Sequence, residues 1–287
     1  MKKQDFTVLK IDDLHPFPDN PFRLVEDDLL MELSESIKEF GVVTPIITRP
    51  KEDGNGYEVI AGQRRVRASQ LAGIETIPAF VLPLDRDRAI ITLVDSNIQR
   101  ENILPSERAF AYKMKLEAMK HQAGRPTQDN YSQVGNNFGT LSSEEMAEEL
   151  GTSKNQIFRY IRLTNLIPEL LNMVDEKKIS FNPAVELSYL DEAQQRDFLE
   201  AMNDTQNAPS LSQAQRLKKL AQEGHFSYDV AFAVMGEEKK DELDKVVIKN
   251  DTLRKYFPRS YTPKQMEDTI IKLLEQWQRK LQRQNER

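Results

Sequence analysis

The sequence predicts an α+β N-terminal domain over residues 1–104, an all-α domain over 105–203 and a small, mostly helical C-terminal domain over 210–287. Three observations carry this division. Strand-like and helix-like apolar patterns alternate through the first hundred residues, the mark of an α+β module with its own core. After Pro105 the strand signal fades and helical spacing takes over. Two polar stretches, 122–141 and 203–210, interrupt that spacing and read as a flexible insertion and a linker.

Each element follows from local chemistry. Residues 6–11 read as a short strand, and HPFPDNP (15–21) as a stiff, proline-punctuated turn. Leu29, Leu30, Leu33, Ile37 and Phe40 recur at helical spacing until Gly41 stops the helix. Strands are expected at 45–48 and 57–61, joined by a turn through Asp53, Gly54, Asn55 and Gly56, which tolerates positive φ. A helix over 62–73, a strand over 77–82 and a helix over 86–98 complete the first domain. Pro105, Ser106 and Glu107 open the next helix, with proline accepted in the first turn. Helical patterns return over 143–202. The last segment holds short helices, a strand signal at 246–248 and a long helix after Pro263, whose Met266, Ile270, Leu273, Leu274, Trp277 and Leu281 mark one face.

Composition excludes several functions. Forty Lys and Arg stand against 46 Asp and Glu, a formal charge of -6. That is incompatible with a uniformly basic nucleic-acid coat, so any DNA contact must come from local basic patches. With no cysteine, disulfides, thiolate zinc sites and cysteine nucleophiles are ruled out. The three histidines, His15, His121 and His225, lie too far apart to announce a metal site. No apolar run reaches the roughly 18 residues of a membrane span, and the first residues lack the apolar core of a signal peptide. The expectation is a soluble, cytoplasmic protein with no membrane partner.

The stretch EVIAGQRRVRA (58–68) runs an apolar strand into a glycine and straight into a helix whose first turns carry Arg64, Arg65 and Arg67. Cations are unfavourable at the positive end of the helix dipole. The arrangement makes sense around an anion held by backbone N–H groups and guanidinium forks, that is, a phosphate cradle. The alternative is a solvated helix face whose arginines pair with acids of this chain.

A second constellation is SSEEMAEELGTSKNQIFRYIRL (142–163). A serine cap and first-turn glutamates open a short helix, Met146, Ala147 and Leu150 face inward, and Gly151 permits a tight turn. The next helix turns Ile157 and Ile161 inward. It carries residue types that reach phosphates and base edges, which makes Thr152, Ser153, Lys154, Asn155, Gln156, Arg159 and Arg162 the candidate DNA contacts of a helix-turn-helix. An ordinary helical hairpin with charged outer faces is the other reading.

GQRRVRA (62–68) resembles the GERRxRA arginine motif of the ParB family of plasmid and chromosome partition proteins. GVVTPIITR (41–49) is similar to that family's GxxQPIxVR segment, and SNIQRE (96–101) to its ENxQRE segment. ParB proteins also carry a helix-turn-helix at this place, followed by a segment like RLTNLIP (162–168). The resemblance covers roughly residues 6–200. It implies the fold shared with sulfiredoxin, without that enzyme's catalytic cysteine, and a site for CTP with Mg2+ in a domain that closes like a clamp on DNA. Gly62, Gln63, Arg64, Arg65 and Arg67 would meet the triphosphate, Thr44, Pro45 and Ile46 would line the pocket, and Asn97 would help hold the metal. Ser96, Gln63 and Thr44 depart from the family pattern, two of them at carboxylate positions, so at most slow CTP turnover is expected.

Beyond about residue 203 the chain resembles no family closely. The C-terminal apolar stripe fits a small domain or a dimer seam. The five basic and two acidic residues from Lys272 onward fit either added nonspecific DNA affinity or a solvated helix end. Two functions stand: a CTP-responsive, DNA-associated partition protein that binds a palindromic double-stranded site as a homodimer, with a ParA-type ATPase as a further partner, or a helix-turn-helix transcriptional regulator that neither slides nor segregates.

Overall fold

The computed structural model describes residues 6–100, 102–123, 138–237, 250–258 and 260–285. Two compact units divide the chain at Gly236 and Glu237. The first opens with β1 (Phe6–Lys10), β2 (Leu14–Pro16), α1 (Asp28–Phe40), β3 (Ile46–Pro50), β4 (Tyr57–Ala61), α2 (Gln63–Leu71), β5 (Thr76–Val81) and α3 (Arg86–Asn97). The five strands form one mixed sheet in the order β1-β5-β3-β4-β2. β1 and β5 run antiparallel, as do β3 and β4, while β3–β5 and β2–β4 are parallel. β2 departs from the sequence reading, which expected a turn at 15–21. Pro16 is tolerated there because β2 is an edge strand.

Leu9, Ile11, Ile46, Val59, Ile77 and Ala79 form one core cluster of the sheet, and Leu30, Ile37 and Ala68 bury the contact between α1 and α2. Asp27 caps α1 by accepting from the Leu30 N–H at 2.9 Å, an interaction worth about 1 kcal/mol. Arg49 and Glu58 form a buried pair at 2.7 Å between β3 and β4, with the guanidinium 5.4 Å above the Phe17 ring. Arg49 therefore serves the sheet.

α4 (Pro105–Ala123) joins this module to the helices that follow: α5 (Phe138–Glu149), α6 (Lys154–Arg162), α7 (Pro168–Asp175), α8 (Phe181–Leu187), α9 (Glu192–Thr205), α10 (Leu211–Gln222) and α11 (Tyr228–Met235). Ala111 and Ala118 of α4 pack with Ile90, Leu93 and Val94 of α3 in one core that also takes in Phe17 and Ile60. On another side of α4, Tyr112 and Leu116 pack with Met146, Ala147 and Ile157. Asp175 of α7 caps α4, accepting from the Ser106 N–H at 2.9 Å and from its hydroxyl. The largest core, around Leu163, Leu170 and Phe198, also contains Ala214, Leu217, Ala231 and Met235. Residues 203–210 thus hold the end of α9 and a turn within one helical body.

Two further readings change at element boundaries. α5 begins at Phe138, so Ser142 and Ser143 are buried residues inside it and do not cap it. The middle of the expected insertion, 124–137, and the strand signal at 246–248 lie outside the described residues. In the second unit, α12 (Asn250–Leu253) precedes α13 (Pro263–Asn285), along which Leu273, Leu274 and Trp277 are exposed.

Candidate functional site

The start of α2 faces a cleft of about 620 Å³ whose walls come from the segment before β3, the β4–α2 junction and the end of α3. Thr44, Pro45, Gly62, Arg64, Arg65 and Asn97, drawn from three separate stretches of sequence, all line it. Gly62 makes the junction possible. Its φ is +101°, and a Cβ there would stand 2.7 Å from Cγ2 of Ile46. Gly62→Ala is therefore expected to destabilise the protein by about 1–3 kcal/mol, the cost of a strained backbone position, read as a lower urea midpoint at unchanged slope.

Arg65 donates from one guanidinium nitrogen to the carbonyls of Thr44 and Pro45, tying the two walls together. Burial lowers its pKa from the ordinary arginine value, but a guanidinium remains charged at neutral pH. It is a partly dehydrated cation with donors to spare. Arg64 donates to Asp27 at 2.7 Å and to the Val25 carbonyl at 3.1 Å, and this hydrogen bond leads the causes that hold the Asp27 carboxyl below its usual pKa. Asn97 is buried, and its Nδ2 donates to the Leu93 carbonyl at 2.7 Å and to Ser96 Oγ at 3.2 Å. Its Oδ1 is left as the acceptor.

Arg100, within the SNIQRE segment but not among the residues that the motifs single out, also lines the cleft. Lost hydration is the main cause that lowers its pKa; the nearby Glu107 carboxylate opposes the shift and the charge of Arg64 adds to it. Arg64, Arg65 and Arg100 thus bring three guanidinium groups to one cleft, a donor set that suits an anion. Among the described residues no carboxylate or histidine lines this cleft.

Three nominated residues stand elsewhere. Ile46 is fully buried beneath Gly62. Gln63 and Arg67 line a separate cleft of about 320 Å³ with His15, Val66 and Gln70, and Arg67 pairs with Glu26 at 2.7 Å. Helical periodicity carried the signal for this, since 63, 66, 67 and 70 share one face of a helix.

The second candidate surface is built on α5 and α6. Gly151, at φ +60°, makes the turn between them, and Ser153 caps α6 by accepting from the Gln156 N–H at 3.2 Å. Ile157 is buried and Ile161 half-buried, as the spacing requires. Lys154 pairs with Glu144 of α5 at 3.3 Å. Arg159 donates to Asn182 and Gln156 and stands 5.1 Å above the Phe181 ring. Arg162 donates to the Ser188 carbonyl at 2.6 Å and stacks 3.9 Å from the Tyr189 ring centre. Thr152, Ser153, Lys154, Asn155 and Gln156 cluster at the turn and the first turn of α6, while the two arginines are drawn back onto α8 and the residues after it.

Residues 1–98 match the ParB N-terminal domain and residues 128–223 the ParB HTH domain, two models of one family that together span most of the chain. The chain belongs to the ParB family. It is 32% identical over 195 residues to a probable chromosome-partitioning protein ParB of Coxiella burnetii, covering 68% of this chain and 60% of that one. It is also 32% identical over 180 residues to stage 0 sporulation protein J of Bacillus subtilis, covering 63% and 56%. Among solved structures, the C-terminally truncated ParB of Caulobacter crescentus complexed with CTP-γ-S is 27% identical with a TM-score of 0.32, over 64% of this chain and 92% of that one. This ParB-family chain matches about 60% of the length of its first curated relatives. Among the described residues no helix is long and apolar enough to cross a membrane.

Proposed function

We propose that this ParB-family protein binds a specific double-stranded DNA site through α5 and α6, and that a cytidine triphosphate in the α2 cleft governs its grip on the duplex. The supporting observation is the convergence of Thr44, Pro45, Gly62, Arg64, Arg65 and Asn97 on one cleft. Such a cleft favours a polyanion, and slow CTP turnover at most follows from Ser96 and Gln63 standing where the family motifs carry carboxylates. CTP is the nucleotide that the family motifs point to. The residues present suit a magnesium ion carried in on phosphate oxygens, because one side-chain oxygen, Asn97 Oδ1, suffices as its protein ligand. A bound magnesium would neutralise phosphate charge.

The protein acts as a homodimer on paired half-sites, since a two-fold protein reads a palindrome. Residues 1–104 hold the nucleotide site and 105–203 the DNA-binding helices, and the dimer contacts expected of 210–287 fall to the second unit, from Glu237 onward. The reading assigns it to partition of a plasmid, mobile element or chromosome region, with a ParA-type ATPase as partner. For the nucleotide to act as a switch it must bind the closed state more tightly than the open one.

The pairing of Arg64 with Asp27 and of Arg67 with Glu26 favours a second reading, an operator-binding transcriptional regulator in which this arginine helix is structural. Mapping bound DNA across the host genome with and without CTP separates the two. The leading reading expects occupancy to spread from its site when CTP is present. A narrow peak under both conditions, with no heat on titrating CTP into the DNA-bound protein, establishes the regulator instead.

A further inference from the structure

α6 presents an unexpected pair of side chains to the outside. Of its nine residues, Asn155 and Phe158 are exposed, and the rest are at least partly covered. Phe158 leaves 39% of its surface in contact with solvent. Lys154, Gln156, Arg159 and Arg162, the polar groups expected to reach out, instead engage Glu144, Arg159, Asn182, Ser188 and Tyr189 within the protein. Tyr160 meets the Tyr112 ring edge to face and packs at a tilt against Phe181. Asn155 and Phe158 stand three residues apart, so they are neighbours on one face of the helix.

An isolated exposed phenylalanine is ordinary on a protein surface. On the outer face of a recognition helix it has a chemical use. In the major groove the 5-methyl group of thymine is the one apolar feature a base pair displays, and it is read by apolar contact. Asparagine pairs bidentately with N6 and N7 of adenine. The two side chains thus match the two halves of A·T chemistry.

We propose that Phe158 is a base-reading residue, packing on a thymine 5-methyl group in each half-site, with Asn155 beside it reading adenine. This rests on the DNA-binding reading above and adds to it a specificity determinant of stated chemistry. Arg159 and Arg162 act as positioning residues that hold α6 against α8 and the segment following it.

The test uses duplexes selected from a random-sequence library by the full-length chain. In the selected duplex each thymine is replaced in turn by deoxyuridine, which removes the methyl group and leaves base pairing intact, and affinities are measured by fluorescence anisotropy. Burying one methyl group should count for roughly a four- to tenfold change in affinity. At one thymine per half-site the native chain should lose that factor. Phe158→Ala should bind the thymine and uracil duplexes equally, near the native affinity for the uracil duplex. A flat deoxyuridine scan with the native chain overturns the proposal without reference to any variant, as does methyl sensitivity that persists in Phe158→Ala. In both cases the selected duplex still binds, so site-specific recognition stands. Failure to select any duplex overturns the DNA-binding reading and this proposal with it.

Discussion

Titrating CTP into Arg65→Ala protein bound to its DNA site should give no heat, whereas the same titration of the native chain should give a binding isotherm. Arg65 sits at the first turn of α2, partly dehydrated, with its guanidinium tied to the Thr44 and Pro45 carbonyls. Its removal takes away a cation aimed at the polyphosphate and also the tie that sets the distance between two cleft walls. Loss of a charge-assisted hydrogen bond at a half-buried cation costs about 2–3 kcal/mol, about thirty- to a hundredfold in affinity. Site-specific DNA binding should change little, because α6 is held by Tyr112, Leu116, Met146 and Ala147, none of which touches the cleft. Arg65→Lys should recover only part of the affinity, since an ammonium lacks the planar fork. Unaltered CTP binding by Arg65→Ala would remove the nucleotide from the account.

The double replacement Asp95→Ala, Glu149→Ala should lower the stability of the first unit by about 2–3 kcal/mol, while Lys115→Met should change it by no more than about 1 kcal/mol. Lys115 lies on α4 with 1% of its side chain exposed and meets Asp95 of α3 and Glu149 of α5, each at 2.6 Å. The two carboxylates are about half exposed and regain water if the lysine goes. The ammonium cannot, so removing the acids strands a buried charge. Burial alone would lower the Lys115 pKa, but the hydrogen bonds and charges of Asp95 and Glu149 outweigh it and raise the pKa above 10.5. A raised folded-state value means that this stabilisation is whole below pH 10.5 and fades as pH climbs through the folded value. Urea unfolding of the three proteins at neutral pH and above pH 11 tests both statements; equal losses for Lys115→Met and the double variant would contradict them. The triad also ties the helix that ends in Asn97 to the first helix of the helix-turn-helix.

Strand and helix positions in the first hundred residues were legible because apolar period and turn chemistry are local. Gly41 ends α1, Gly62 opens α2 and Gly151 turns α5 into α6 as their neighbours demand. Residues of all three motifs line one cleft. What their spacing could not convey was which groups share a space. Helical geometry sends Gln63 and Arg67 to the far face of α2, and the packing of α3 brings Arg100 in. β2 was hidden because pairing to β4, a long-range event, overrides the turn signal of Pro16.

The same limit explains the recognition helix and the buried lysine. A run of Lys, Asn, Gln and Arg states what α6 is able to touch, and only its neighbours settle what it does touch. Ser188 and Tyr189, more than twenty residues downstream, claim Arg162, which leaves Phe158 on the open face. Lys115 reads in sequence as one charge among many on a long helix, yet acids from two other helices enclose it. Local order follows from short-range sterics and hydrogen bonding, which a chain carries in adjacent residues. Partnerships between distant charges follow from packing, and packing exists only once the elements have met.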